Sequence, residues 1–295
     1  MALGERDPHT GHMTTGHEWN GIKELNAPVP KIVFFFLIVT ALFAIGYWVL
    51  MPAWPTGLSY TKGLLGMDQR KTVAERLEDA RQDRAEWTQR LTVLDYGAVQ
   101  ADEKLMRIVR QSGHTLFGDN CAACHGSDGK GGKGYPNLAQ ASWLWGGDAQ
   151  TIAETLRVGI NAKHPDTRIS LMMAFGRDRV LERADLLDVT AYVQSLSDPK
   201  ATAVAPVDAQ KGKTVFDANC AACHGEDAKG KREVGAPDLT DNFWIYGGDL
   251  QSIYGTIYDG RQGQMPSWEA RLSPLERKIL TLYVLDLRTQ SGTKP

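Results

Sequence analysis

Seven residues occur twice in this chain, Asn120-Cys-Ala-Ala-Cys-His-Gly126 and Asn219-Cys-Ala-Ala-Cys-His-Gly225, and together they use all four cysteines of its 295 residues. Two thiols separated by two residues can add to the two vinyl groups of one haem. A histidine directly after the second thiol is then held where its imidazole can ligate the iron from the proximal side. Cys121 and Cys124 would tether one haem with His125 as its ligand; Cys220, Cys223 and His224 would hold a second. A zinc site gives no reason for the adjacent histidine, and a thioredoxin-like thiol pair belongs in a βαβ pattern that this sequence lacks. The chemistry indicated is therefore two covalently bound haem c groups, and it leaves no cysteine for a structural disulfide.

The sixth ligand must come from elsewhere. In the second repeat Met265 lies 41 residues beyond His224 and is the sole methionine after that signature. The first repeat offers Met172 and Met173. Aligning Phe175 with Trp268, each the first aromatic after the methionine, sets Met172 opposite Met265 and Met173 opposite Pro266. The predicted axial set is His125, Met172, His224 and Met265. The competing readings are methionines that merely fill a core, and His164 as a rival ligand of the first haem.

The elements that position these residues repeat as well. Gly113 and Phe117 precede Cys121 by eight and four residues, as Gly212 and Phe216 precede Cys220, predicting an opening helix whose glycine admits a second helix closely. After each signature come a Gly/Lys-rich loop, a Pro-Asn-Leu or Pro-Asp-Leu turn, and Trp143-Leu-Trp-Gly-Gly-Asp148 or Trp244-Ile-Tyr-Gly-Gly-Asp249. In these aromatic segments a ring could cover a haem edge and an indole N–H reach a propionate. Each repeat ends in a helical run with an aromatic, Tyr192 or Tyr283, expected to cross the opening helix. The fold class expected is all-α: one transmembrane helix followed by two tandem class I cytochrome c domains, residues 112–198 and 210–295, joined by a short linker at 199–209.

Upstream, residues 1–31 are polar, contain His9, His12 and His17 without an apolar period, and are read as a flexible tail. Ile32 to Met51 is twenty residues without a charge, the length of a bilayer's hydrocarbon core at about 1.5 Å per residue. Tyr47, Trp48 and Trp54 form an interfacial aromatic group, and Pro52 and Pro55 end the helix. This is a single-pass anchor, not a cleaved signal peptide. Residues 52–111 form a helical connector, with an amphipathic stripe on Val73, Leu77, Ala80, Trp87, Leu91 and Leu94 for packing on the protein's own domain or on a partner. Basic residues flank the span almost equally, so orientation follows from chemistry: bacterial c-type haem is attached outside the cytoplasmic membrane. The tail is then cytoplasmic and the haem domains periplasmic. A formal net charge of −2 leaves no footprint for nucleic acid.

Taken together, the head His17-Glu-Trp-Asn-Gly-Ile22, the single span, the two signatures and Gly159-Ile-Asn161, His164-Pro-Asp166 and Ala174-Phe-Gly176 resemble the dihaem cytochrome c subunit, subunit III, of cbb3-type cytochrome c oxidases, the CcoP or FixP family. The resemblance implies no catalytic site in this chain. It implies a relay in the bacterial inner membrane that takes electrons from a donor cytochrome c and passes them to the monohaem and haem–copper subunits, where oxygen is reduced to water and protons are pumped. His/Met ligation leaves the iron no open position and raises its potential, as such a relay needs. The alternatives are an anchored dihaem electron-transfer subunit of another periplasmic oxidoreductase and a dihaem peroxidase, which would need one haem open to peroxide.

Overall fold

The computed structural model describes residues 4–140, 142–198 and 207–290, and divides into two compact units, residues 1–84 and 85–295. In the first unit a two-stranded antiparallel hairpin, β1 (Thr14–Trp19) and β2 (Ile22–Leu25), replaces the flexible tail expected from composition. Asn20 and Gly21, both at positive φ, make the tight turn that Asn-Gly favours between antiparallel strands. Helix α1 (Lys31–Leu50) is exposed along its whole length, as a span that must face lipid would be. Its last turn is closed by the chain folding back: the N–H groups of Leu64 and Leu65 donate to the carbonyls of Val49 and Leu50 at 2.9 and 3.1 Å.

Helix α2 (Gln69–Val93) carries the charged amphipathic stretch; Val73 and Leu77 are exposed, whereas Leu91 is fully buried in the core of the second unit with Trp87 and Leu94 against it. The stripe thus packs on the protein's own domain from Trp87 onward. Then follow α3 (Tyr96–Ala101), α4 (Glu103–Asn120) and the haem-signature turn α5 (Ala122–His125). Next come α6 (Ala149–Val158), α7 (Arg183–Ser197), α8 (Ala209–Asn219), the second signature turn α9 (Ala221–His224), α10 (Leu250–Asp259) and α11 (Pro274–Gln290). Most of the linker expected at 199–209 lies outside the described residues.

Asp102, Asp148, Asp208 and Asp249 cap α4, α6, α8 and α10, each accepting from backbone N–H groups of the first turn. Ser273 and Glu276 form a reciprocal capping box at the start of α11, at 2.7 and 3.3 Å. On α4 the buried Leu105, Met106, Val109, Gly113 and Phe117 lie on one face at helical spacing.

What these faces pack against departs from the expectation. Helix α4 is crossed by α11, the closing helix of the other repeat, and α8 by α7, the closing helix of the first. One core joins Val109, Phe117, Ile152 and Leu156 to Trp268, Leu280 and Tyr283. The other joins Phe216, Ile253 and Ile257 to Phe175, Leu186 and Val189. Two lobes result, and the chain passes between them at residues 169–171 and again at 262–264. The second lobe is therefore one continuous segment, residues 172–261, which begins with its closing helix. It is inserted into the first.

Candidate haem sites and the exchanged methionines

Each signature turn is held the same way. Cys121 and Cys220 are half-buried beside their cores, whereas Cys124 and Cys223 face solvent. Burial pushes the Cys121 and Cys220 thiols up to about 11, aided by the neighbouring Cys124 and Cys223. His125 Nδ1 lies 3.1 Å from the carbonyl oxygen of Pro136, and His224 Nδ1 3.1 Å from that of Pro237. The N–H of that nitrogen donates to the carbonyl, which fixes the tautomer and leaves Nε2 as the coordinating nitrogen. Burial also holds both imidazoles below their usual pKa, the neutral form that a metal requires.

The methionines arrive from the opposite repeat. Met265 pairs through its backbone with Ile160, just beyond α6, at 2.9 Å in both directions, and it packs on the same core as Cys121, Leu138 and Trp143. Met172 pairs with Arg261, just beyond α10, at 2.8 and 3.0 Å, and packs on the core of Cys220 and Trp244. Gly159 and Gly260 make these approaches possible. A Cβ there would stand 2.5 Å from the Met265 carbonyl oxygen and 2.4 Å from that of Met172.

The equivalence of Phe175 and Trp268 holds in space. The Trp268 N–H donates to Leu156 at 3.0 Å and the Phe175 N–H to Ile257 at 3.1 Å, in each case to the third residue before the glycine that follows the helix. Met173, by contrast, is half exposed. Both nitrogens of His164 are engaged, Nε2 with Glu269 at 2.8 Å and Nδ1 with the backbone N–H of Asp166 at 3.0 Å. Glu269 in turn accepts from Arg157, which also binds Glu154 and Asp166. Each methionine therefore packs beside the signature of the other repeat: Met265 on the core flanked by Cys121, and Met172 on the core flanked by Cys220. Phe175 and Trp268 thus make equivalent backbone contacts, but aligning two repeats carries no signal of which copy a segment packs on.

The surroundings fit a haem in each lobe. In the first lobe the Nε1 atoms of Trp143 and Trp145 are buried with no hydrogen-bond partner among the described residues, as indoles that serve a propionate would be. Arg168 lies over the Trp145 ring at 5.0 Å, and Arg261 over Tyr246 at 4.3 Å, which adds a cation beside each aromatic segment. These two segments also join the lobes. The Gly134 N–H donates to the Ile245 carbonyl at 2.7 Å, Ser142 donates to Asp241 at 2.5 Å, and Trp145 lies against Gly235, where a Cβ would come within 2.5 Å of its ring.

Comparison with known proteins agrees in order and extent. Residues 11–57 match the family described as the N-terminal domain of cytochrome oxidase-cbb3, FixP; residues 111–197 match cytochrome c; and residues 207–284 match cytochrome C oxidase, cbb3-type, subunit III. The cbb3-type cytochrome c oxidase subunit FixP of Bradyrhizobium sp. (strain ORS 278) is 44% identical over 283 residues, 96% of this chain and 97% of the relative. Subunit CcoP of Azospirillum brasilense is 43% identical over 294 residues, 97% and 99% of the two chains. That of Cereibacter sphaeroides is 40% identical over 272 residues, covering 92% and 93%.

Proposed function

Because the chain belongs to the FixP and CcoP family of cbb3-type cytochrome c oxidase subunits, we propose that it is a membrane-anchored dihaem relay, with one haem c attached at Cys121 and Cys124 and the other at Cys220 and Cys223. His125 and Met265 would hold the iron of the first, and His224 and Met172 that of the second. The observation that carries this reading is the matched construction of the two sites: an imidazole with Nδ1 committed to a proline carbonyl, and a methionine docked beyond the following helix.

Bound haem supplies one-electron redox chemistry. The chain's own residues set where that chemistry happens and at what potential. With the imidazole of His125 or His224, the thioether of Met265 or Met172 would favour reduced iron and leave peroxide or oxygen no place to bind. That separates a relay from a peroxidase. Cys124 and Cys223 are exposed, so a haem tethered through them would be approachable by an external protein on that side. The inter-lobe contacts around Trp145 and Tyr246 hold the two sites in one body, as rapid exchange between haems requires. Helix α1 anchors this body to the inner membrane, with both lobes in the periplasm, where c-type haem is attached. In that place the chain would take electrons from a donor cytochrome c and hand them to a monohaem subunit and then to the haem–copper subunit.

The test is extraction from membranes in mild detergent. The monohaem and haem–copper subunits should copurify, the mass of this chain should exceed its polypeptide by two haems, and both haems should be oxidised when oxygen is admitted to the reduced complex. Copurification with a dehydrogenase or a denitrification reductase instead would assign the same relay to another enzyme.

A further inference from the structure

The two segments that exchange methionines are not independent. Asn161 sits at positive φ (48°), a conformation that asparagine tolerates better than most residues, immediately after the Ile160 that pairs with Met265. Its side-chain Nδ2 donates to the carbonyl of Ser170 and to the carbonyl of Gly263, both at 2.7 Å, and its Oδ1 accepts from the Ser170 N–H at 3.1 Å. Its main chain is engaged as well: the N–H donates to Arg168 at 2.8 Å, and the carbonyl accepts from Gln264 Nε2 at 3.2 Å. Ser170 lies two residues before Met172 and Gly263 two residues before Met265. One amide therefore binds both crossing segments at equivalent places.

The repeats differ at this point. Met172 stands thirteen positions after Gly159, but Met265 only five after Gly260, and the place of Asn161 after the glycine is taken in the second repeat by Gln262. The longer excursion in the first repeat carries the clamp, and its action reaches both.

We propose that Asn161 is a positioning residue shared by both distal methionines, so that one side chain governs the iron–thioether geometry of two haems. This inference rests on the crossed axial pairs given above. Hydrogen bonds to the chain around a metal ligand orient that ligand, and here both ligands draw on the same two N–H donors. Aspartate is nearly the same shape but would set a carboxylate against two carbonyl oxygens, so the requirement is for the amide itself.

The experiment is redox titration and carbon monoxide binding of the full-length, detergent-solubilised protein carrying Asn161→Asp or Asn161→Gly. The glycine variant keeps the positive φ and loses the amide. Both midpoint potentials should fall together, and both ferrous haems should gain carbon monoxide reactivity while staying covalently attached. Gln262→Ala should leave both unchanged. Met172→Leu and Met265→Leu, titrated alongside, separate the two ideas. If these leave the potentials unaltered, the axial assignment fails. If each alters one haem while both Asn161 variants alter one or none, the shared clamp fails. A lower melting temperature with both potentials intact, or failure of both Asn161 variants to retain haem, also overturns it, because a positioning role leaves the lobe cores standing.

Discussion

Gly113 of the first repeat lies directly against Tyr283 of the second: a Cβ on the glycine would stand 2.6 Å from the Cβ of the tyrosine, and His114 Nδ1 meets the Tyr283 hydroxyl at 3.2 Å. The atoms opposing the glycine lie at the base of the tyrosine side chain, next to the α11 backbone, so they cannot swing away. Gly113→Val should therefore push α11 off α4 and destabilise the first lobe by about 1–3 kcal/mol, the usual cost of overpacking. Thermal unfolding followed separately at the two haem bands should show the loss at the haem on Cys121 and Cys124. Unchanged melting at that haem would mean that α11 does not pack there.

Met265→Leu conserves volume and apolarity, so the core should lose less than about 1.5 kcal/mol. The haem whose potential falls should be the one on Cys121 and Cys124, in the repeat that Met265 does not belong to; Met172→Leu should lower the other. Pairing each substitution with a Cys-to-Ala variant that carries a single haem identifies which has moved. An effect confined to the methionine's own repeat would show that the lobes are not exchanged.

Much of this was legible in the sequence, and the limits are physical. The signatures and the span could be read because covalent attachment and bilayer thickness each impose a fixed spacing, and Met172 aligned with Met265 because each stands three residues before the next aromatic, Phe175 or Trp268. Both families matched beyond the span, residues 111–197 and 207–284, likewise follow the tandem order of the signatures. The exchange was hidden because α7 and α11 present similar apolar faces to similar glycines, Gly212 and Gly113, and a repeat pattern is satisfied equally by packing within or between copies. Which pairing wins depends on the lengths of 169–171 and 262–264 and on contacts such as Asn161 with Gly263 that no local rule describes. The hairpin at 14–25 did carry a signal, Asn20-Gly21 between two short runs, but the polar composition around it masked the alternation.

The ion-pair group that ties the returning segment to the first lobe should be sensitive to acid. The hydrogen bond from His164 and those from Arg157 hold the Glu269 carboxyl below its usual range. A carboxyl depressed in the folded state stabilises it above the unfolded pKa, about 4.3 for glutamate, and that contribution disappears as pH falls through the lower folded value. The melting temperature of the first lobe should therefore decline as pH is lowered from about 5, and Glu269→Gln should flatten the decline. Since the group is exposed, added salt should weaken the effect. Parallel curves for wild type and variant would remove Glu269 from the account.

If residues 172–261 form one lobe, that fragment should fold by itself, although it cuts across both repeats. It contains Met172, Phe175, α7, α8, the second signature and α10, which together supply the whole second core and both members of the pair His224 and Met172. Its ends lie close together, since Met172 pairs with Arg261 through both backbone hydrogen bonds. Exported to the periplasm and matured, it should be a monomer with one covalent haem, low spin, at a potential near that of the second haem in the whole chain. The fragment 210–295 follows the sequence repeat but lacks Leu186, Val189 and Val193 of that core. It also carries the apolar face of α11 with nothing to cover it. It should be unstable or aggregate, and any haem that it retains should bind carbon monoxide, because Met265 docks against Ile160, which that fragment does not contain. The reverse outcome, a stable low-spin 210–295 and an unfolded 172–261, would show that each repeat closes on itself and that the crossed pairing is wrong.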